Sequence, residues 1–164
     1  MQANAVGFKV TIFLSSLIIG PPPTLEPLNL SVSFVYNFFN GAFRELPDTY
    51  AAGLFPTYID VRDLATAHVR ALSSVGAANK RFLVGAPELT SSLILNTLEG
   101  VAKKNIVPEL KGRLPKDTGN DNKTRRSLPR FNVNEGNEIL GLSIRRAEET
   151  FRDVAKKIIE LEKK

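Results

Sequence analysis

The sequence contains no cysteine and a single histidine, His68. Without cysteine, disulfide bonds and thiolate zinc sites are excluded, and a cytoplasmic protein is the simplest expectation. With one histidine, HExxH and every other two-histidine site is excluded as well. We therefore expect no metal centre, and the 164 residues are enough for one domain or for part of a larger one.

Long hydrophobic runs are also missing. The most apolar stretch, residues 8–19, is shorter than the roughly 20 apolar residues that cross a bilayer. Lys9, Thr11 and Ser15 interrupt it before a Gly-Pro-Pro-Pro segment. A secretory signal is a poor match, because no small-residue cleavage pattern follows this stretch. The sequence therefore predicts neither a membrane span nor a secretory leader.

Motifs that build nucleotide and catalytic sites are absent. No two of the 11 glycines are two residues apart, so the GxGxxG phosphate turn cannot form. There is no P-loop and no GxSxG nucleophile turn. The carboxylate pair at 60 and 63 is explained by helix capping, and the pair at 148 and 149 by a solvated helix face. We assign no catalytic residue, and we interpret His68 as a packing histidine beside Leu64 and Leu72.

Positive charge is concentrated in one segment of the chain. Residues 103–130 contain nine lysines and arginines against three acidic residues, whereas the rest of the chain is close to neutral. This segment is a candidate for binding nucleic acid or another anionic surface. No aromatic residue is interleaved with its charges, so stacking platforms for single strands are missing. A solvated loop is the preferred interpretation, and we do not expect nucleic acid as a partner.

Hydrophobic periodicity predicts an α/β protein in which strands and helices alternate. Strands are predicted at 10–19, 57–60, 81–85 and, more briefly, 131–134. Apolar helix faces are predicted within 28–39, 64–72, 94–102, 135–140 and 147–159, with caps at Asp60, Thr90 and Ser143. The first strand is very apolar and is expected to be buried on both faces of a parallel sheet. Because only three or four strands are found, we expect part of the sheet to be missing.

Six short motifs follow one another along the chain: KVT at 9–11 with Gly-Pro at 20–21, LNLS at 28–31, YIDVRDLATAH at 58–68, RFLV at 81–84, GRLP at 112–115 and NEILGL at 137–142. In this order they resemble the C-terminal half of the extended short-chain dehydrogenase/reductases, the NAD-dependent epimerase/dehydratase family. The most similar branch holds the dihydroflavonol, cinnamoyl-CoA and fungal aldehyde/ketone reductases. The resemblance implies an incomplete Rossmann-like NAD(P)-binding fold. Residues 1–164 would be a single C-terminal portion with a helical substrate-side subdomain, and the N-terminal glycine-rich half would be absent.

The resemblance also implies the chemistry of the complete protein. Family members bind NADP or NAD and transfer hydride to aldehydes or ketones, using a serine and a YxxxK pair. Here Asn40, Leu54 and Arg62 stand four residues after the three tyrosines, so YxxxK is absent. Without this pair, nothing donates a proton to the forming alkoxide. We therefore expect that this chain alone neither binds dinucleotide tightly nor turns over.

Four residues match secondary cofactor contacts of the family. Leu14 and Ser15 stand at its (N/S)P pair near the nicotinamide, although serine replaces the proline here. Ile18 is the next expected neighbour of the nicotinamide. Ser31 matches the serine of LNxS, which hydrogen-bonds a cofactor phosphate. Simple packing explains each of these four residues equally well, and helix capping is a further explanation for Ser31.

The residues leave three functional hypotheses open. The chain is part of a reductase whose partner is a small carbonyl substrate, or it is a non-catalytic module that self-associates through an exposed sheet edge. A less favoured hypothesis is an anion- or nucleic-acid-binding protein that uses residues 103–130. The substrate, the choice between NAD and NADP and the oligomeric state are not encoded in any motif of this chain.

Overall fold

The structure is a computed structural model that describes residues 7–15, 17–47, 57–119 and 131–164. Within these ranges, strands run at Thr11–Leu14 (β1), Leu17–Ile19 (β2), Tyr58–Asp60 (β3) and Lys80–Leu83 (β4). Helices run at Leu30–Tyr36 (α1), Val61–Ala71 (α2), Ser91–Lys103 (α3), Asn134–Ile139 (α4) and Ala147–Glu162 (α5). Short 3₁₀ turns lie at Val75–Ala77 and Pro108–Leu110. This order confirms the α/β class.

The apolar run at 10–19 contributes to two small parallel sheets. β1 pairs with β4, with Phe13 opposite Phe82, and β2 pairs with β3, with Ile18 opposite Ile59. The chain therefore changes its pairing partner near Ser15. In the part of the chain that the structure describes, each of these sheets has two strands. The single long strand expected from the sequence is wrong in this respect.

The expectation that this run is buried on both faces is also wrong. Phe13 is half-buried, and its ring lies against that of His68 in α2, with 4.6 Å between the ring centroids. Its neighbours Ile12 and Leu14, on the other face of β1, are each 45% exposed. The alternation continues in β2, whereas residues 7–10 before β1 are all exposed. We call this exposed set the bare face; its members are Phe8, Val10, Ile12, Leu14 and Ile18.

The main core lies where β2 meets helices α1, α3 and α5. α5 packs against both α3 and α1, and α1 packs against β2. The apolar stripes predicted for α3 and α5 are confirmed, because all of these side chains are buried: Ile94, Leu98, Val101, Ala102, Phe151, Val154, Ala155, Ile158 and Ile159. A second, smaller core joins β4 to α2 and α4 around Phe82, Val84 and Leu140.

Two of the three predicted helix caps are confirmed, and the third is wrong. Asp60 caps α2 by accepting from the amide of Arg62, and Thr90 caps α3 by accepting from the amide of Leu93, as predicted. Ser143 does not cap α5, which begins at Ala147 after Arg146. Residues 131–133 form no strand and lead directly into α4.

Gly136 allows α4 to lie directly on β4. A Cβ at this position would lie 2.7 Å from the carbonyl oxygen of Leu83 and 3.0 Å from Phe82 Cβ. We expect Gly136→Ala to lower the free energy of unfolding by about 1–3 kcal/mol, the usual cost of overpacking. Gly100→Ala in α3 is the control, because nothing lies within 4 Å of its Cβ position. It should raise the stability by about 0.5–1 kcal/mol. Urea unfolding of the two variants measures these opposite changes, and a Gly136→Ala variant as stable as the parent would contradict this packing.

Candidate functional site

The four residues predicted to contact a cofactor lie around the connection between β1 and β2 and at the start of α1. Leu14 ends β1 and belongs to the bare face, and half-buried Ser15 follows it. Ile18 is the exposed central residue of β2. Ser31 is half-buried in the first turn of α1, which packs against β2. Leu14 thus stands at the carboxyl end of a parallel strand, the place where open α/β sheets bind ligands.

Capping does not account for Ser31. The side chain of Asn29 caps α1 by accepting a hydrogen bond of 2.9 Å from the amide of Val32. The capping interpretation of Ser31 is therefore wrong. Packing and a phosphate contact are the interpretations that stay open for its hydroxyl.

Residues 60–63, the DVRD part of the YIDVRDLATAH motif, form a buried hydrogen-bond cluster around Asp60. This side chain is 1% exposed and accepts from the Arg62 amide at 2.9 Å and from the Arg62 guanidinium at 2.9 and 2.7 Å. Thr150 Oγ1, on α5, donates to it at 2.8 Å. Burial alone raises the pKa of the Asp60 carboxyl, but the hydrogen bonds from Arg62 and Thr150 outweigh burial and lower this pKa below its ordinary value. Asp60 is therefore an ionised structural acceptor.

A second carboxylate of the same motif binds the segment before α5. Asp63 is 5% exposed and accepts from both the backbone amide, at 2.8 Å, and the guanidinium of Arg145. Arg62 also reaches α5, through a 2.8 Å ion pair with Asp153. The sequence predicts the local cap but not these contacts, whose partners lie more than 80 residues away. The motif therefore fixes α2 to α5.

Neither described tyrosine has the properties of a catalytic proton donor. Burial raises the pKa of Tyr58 to about 12. Burial and the hydrogen bond to Glu162 raise the pKa of Tyr36, whose hydroxyl donates to this carboxylate at 2.8 Å. A tyrosine that protonates an alkoxide near neutral pH needs a lowered pKa instead. Tyr50 lies outside the described residues.

His68 makes contacts that agree with a packing role. Its Nδ1 lies 2.8 Å from the carbonyl oxygen of Leu64, an acceptor, so Nδ1 carries the proton of this hydrogen bond. Its ring packs against Phe13. The predicted burial is wrong for both residues: His68 is exposed, and Leu72 follows the last residue of α2 and is 89% exposed.

The basic segment is partly neutralised within the fold. Its residues 120–130 lie outside the described part of the chain. Three of its described cations form ion pairs: Lys103 with Glu99, Lys104 with Glu148 and Arg113 with Glu162. These pairs reduce the positive charge that the segment presents to an external anion.

The described ranges contain neither a metal-binding cluster nor a membrane-spanning helix. No group of three or more histidine and carboxylate side chains there is placed to hold a metal ion. None of the helices in these ranges has both the length and the apolar character of a bilayer-spanning helix.

Comparisons with known proteins identify related enzymes. Over 96% of its length, the chain is 30% identical to an uncharacterized oxidoreductase of Schizosaccharomyces pombe, of which it covers 44%. Over 97% of its length, it is 25% identical to the NADPH-dependent methylglyoxal reductase Gre2 of Saccharomyces cerevisiae, of which it covers 45%. No protein-family model matches the chain. The chain therefore spans less than half the length of the curated relatives it matches.

The fold agrees with these relatives. The crystal structure of Gre2 from Candida albicans superposes with a TM-score of 0.76 at 22% identity, over 98% of this chain and 47% of that one. The match confirms the incomplete Rossmann-like fold. The sequence resemblance is likewise confirmed: the chain is a relative of the Gre2-type reductases of the extended short-chain dehydrogenase/reductase family, similar over nearly its whole length to their C-terminal region.

Proposed function

We propose that this chain forms the C-terminal part of an NADPH-dependent reductase that reduces aldehydes or ketones by hydride transfer, and that it is inactive alone. The observation that carries the proposal is the bare face of β1. On this strand of a parallel sheet, Ile12 and Leu14 are each 45% exposed. Parallel sheets are normally covered on both faces. A nucleotide-binding layer of the kind found in the rest of a Gre2-type enzyme would cover this face.

The edge of β1 supports the same proposal. Among the described residues, β1 pairs only with β4, so its other edge is open. An open edge beside apolar side chains is an unfavourable feature of a protein that stands alone. A covering layer that contributes one more parallel strand would remove both the bare face and the open edge.

The predicted cofactor contacts fit one part of a dinucleotide. In this proposal Leu14, Ser15 and Ile18 form a wall beside the nicotinamide, and the Ser31 hydroxyl, which does not cap α1, donates to a phosphate oxygen. Bound NADPH would supply the hydride. No glycine turn in this sequence cradles the pyrophosphate, so these residues orient a cofactor whose affinity comes from elsewhere.

The proposal predicts that the purified chain binds NADPH weakly and reduces no aldehyde. A fluorescence titration with NADPH should show no saturation at micromolar concentration, and NADPH oxidation with methylglyoxal should not exceed the rate without protein. Saccharomyces cerevisiae Gre2, named for this reaction, is the positive control. Micromolar binding together with turnover would refute the proposed inactivity.

A second candidate is a non-catalytic module that self-associates through the open edge of β1. The observation in its favour is the same combination of an unpaired edge and the bare face. Size-exclusion chromatography with light scattering separates the two candidates: a defined oligomer favours the module, whereas heterogeneous aggregates favour a reductase part without its covering layer. For either candidate we propose a cytoplasmic location, on the basis of the cysteine-free sequence.

A further inference from the structure

A cleft of about 720 Å³ opens beyond the C-terminal end of α1. It is formed by residues 39–45, which follow α1, and by residues 112–116, which follow the 3₁₀ turn at Pro108–Leu110. Ser31 lies in the first turn of the same helix, so the cleft and the proposed cofactor contacts stand at opposite ends of α1. The cleft is therefore a separate site.

Backbone hydrogen bonds fix the two walls of the cleft to each other. The amide of Lys116 donates to the carbonyl of Arg44 at 3.0 Å, and the amide of Leu46 donates to the carbonyl of Lys116 at 2.9 Å. Arg113 Nε donates to the carbonyl of Phe39 at 2.7 Å. These bonds join segments about 70 residues apart in the chain. The cleft is thus held by the fold and does not depend on a single loop.

The inner surface of the cleft is partly apolar. Phe39 is fully buried, and Phe43 and Leu114 are half-buried. Gly112 leaves open space on its side of the cleft, since nothing lies within 4 Å of its Cβ position. A flat apolar group would cover Phe43 and Leu114 and remove their exposed apolar area from water.

The cations of the cleft differ in whether they are paired. Arg113 is neutralised by two hydrogen bonds of 2.8 and 2.7 Å to Glu162. Arg44 and Lys116 are exposed, and neither makes an ion pair with any residue that the structure describes. The carboxylate of Glu45 also lines the cleft. Two available cations therefore face one opposing carboxylate, and the site favours a negative ligand.

We propose that this cleft binds a small organic anion, with a carboxylate or phosphate group at Arg44 and Lys116 and a flat apolar body against Phe43 and Leu114. Lys116 pairs with Glu45 in an isolated parallel bridge, and its amide bonds the carbonyl of Arg44, so both cationic residues lie along the same stretch of the cleft. This inference is independent of the proposed reductase function, because it uses neither the bare face nor the residues at the start of α1.

An NMR titration of the ¹⁵N-labelled chain with phenyl phosphate tests the proposal. The amide signals of Gly41, Gly112 and Leu114 should shift together, and inorganic phosphate should bind more weakly because it lacks the apolar body. Arg44→Gln and Lys116→Gln should each weaken binding about five- to tenfold. Glu45→Gln should strengthen binding about two- to fivefold, because it removes the opposing charge.

Lys103→Gln is the matched control, since it removes an exposed cation that is paired with Glu99 and lies outside the cleft. This variant should leave the affinity for phenyl phosphate unchanged. An equal loss for Lys103→Gln and Lys116→Gln would overturn the proposal, because binding would then reflect net charge alone. Equal affinity for phosphate and phenyl phosphate, or no gain for Glu45→Gln, would also overturn it. The NADPH titration gives a separate result, so failure here leaves the reductase proposal intact.

Discussion

Replacing Asp60 with alanine is expected to lower the free energy of unfolding by about 3–5 kcal/mol, the cost of breaking a buried charged pair by removing one partner. The carboxylate is 1% exposed, and Arg62 and Thr150 donate to it. Its loss removes the cap of α2, leaves the Thr150 hydroxyl without its acceptor and leaves Arg62 paired to Asp153 only. Urea unfolding followed by circular dichroism measures this change.

Glu99→Gln is the control for the Asp60 variant. It removes a carboxylate from an exposed ion pair with Lys103, one turn apart on α3. Exposed helix pairs of this kind contribute about 0.3–0.5 kcal/mol. A loss of less than about 1 kcal/mol for Asp60→Ala would contradict the structural role assigned to this motif.

Lowering the pH should reduce the unfolding free energy of the parent protein more than that of the Asp60→Ala variant. Because the pKa of Asp60 is lowered in the folded state, its stabilisation is complete above the ordinary pKa of 3.8 and is lost as the pH falls through the lower folded value. The difference in unfolding free energy between parent and variant should therefore shrink below this pH. A constant difference across the acid range would show that Asp60 does not act through its charge.

Ile12→Lys is expected to weaken self-association of the chain by at least about tenfold, since burying one isoleucine contributes about 1.5–3 kcal/mol. Ile12 belongs to the bare face and is 45% exposed, so a lysine there can extend its charge into solvent in the isolated fold. We expect the unfolding free energy of the monomer to change by no more than about 0.5 kcal/mol, as for other surface substitutions. Light scattering across a dilution series measures the association.

Phe13→Lys is the matched control for Ile12→Lys, because Phe13 is the next residue of β1 and lies on its opposite face. The Phe13 ring packs against His68 and the smaller core. A lysine there should destabilise the fold by about 2–4 kcal/mol. If both substitutions destabilised the monomer equally, the two faces of β1 would be equally covered and the bare face would not exist.

Elements fixed by local chemistry were predictable from the sequence. The apolar stripes of α3 and α5 and the caps Asp60 and Thr90 depend on neighbouring residues, and the structure confirms them. Ser143 failed as a cap because α5 begins four residues later. An apolar periodic pattern locates a helix better than it locates its ends.

Elements that depend on distant partners were not predictable. The apolar character of residues 10–19 predicts neither the change of pairing near Ser15 nor the exposure of one face. Both features depend on what lies beside the strand. The DVRD cluster likewise needs Arg145 and Thr150, which no local pattern connects to it. The cleft beyond α1 joins segments whose proximity only the fold creates. The assigned cofactor contacts stay predictions.

Amide hydrogen exchange over residues 8–18 of the purified chain tests the central claim most directly. If a covering layer is missing from β1, the amides that point away from β4 have no partner and should exchange rapidly in dilute solution, while those of α3 and α5 stay protected. Slow exchange at every β1 amide in a chain that light scattering shows to be monomeric would contradict the account. The bare face and the open edge would then be covered within the chain itself.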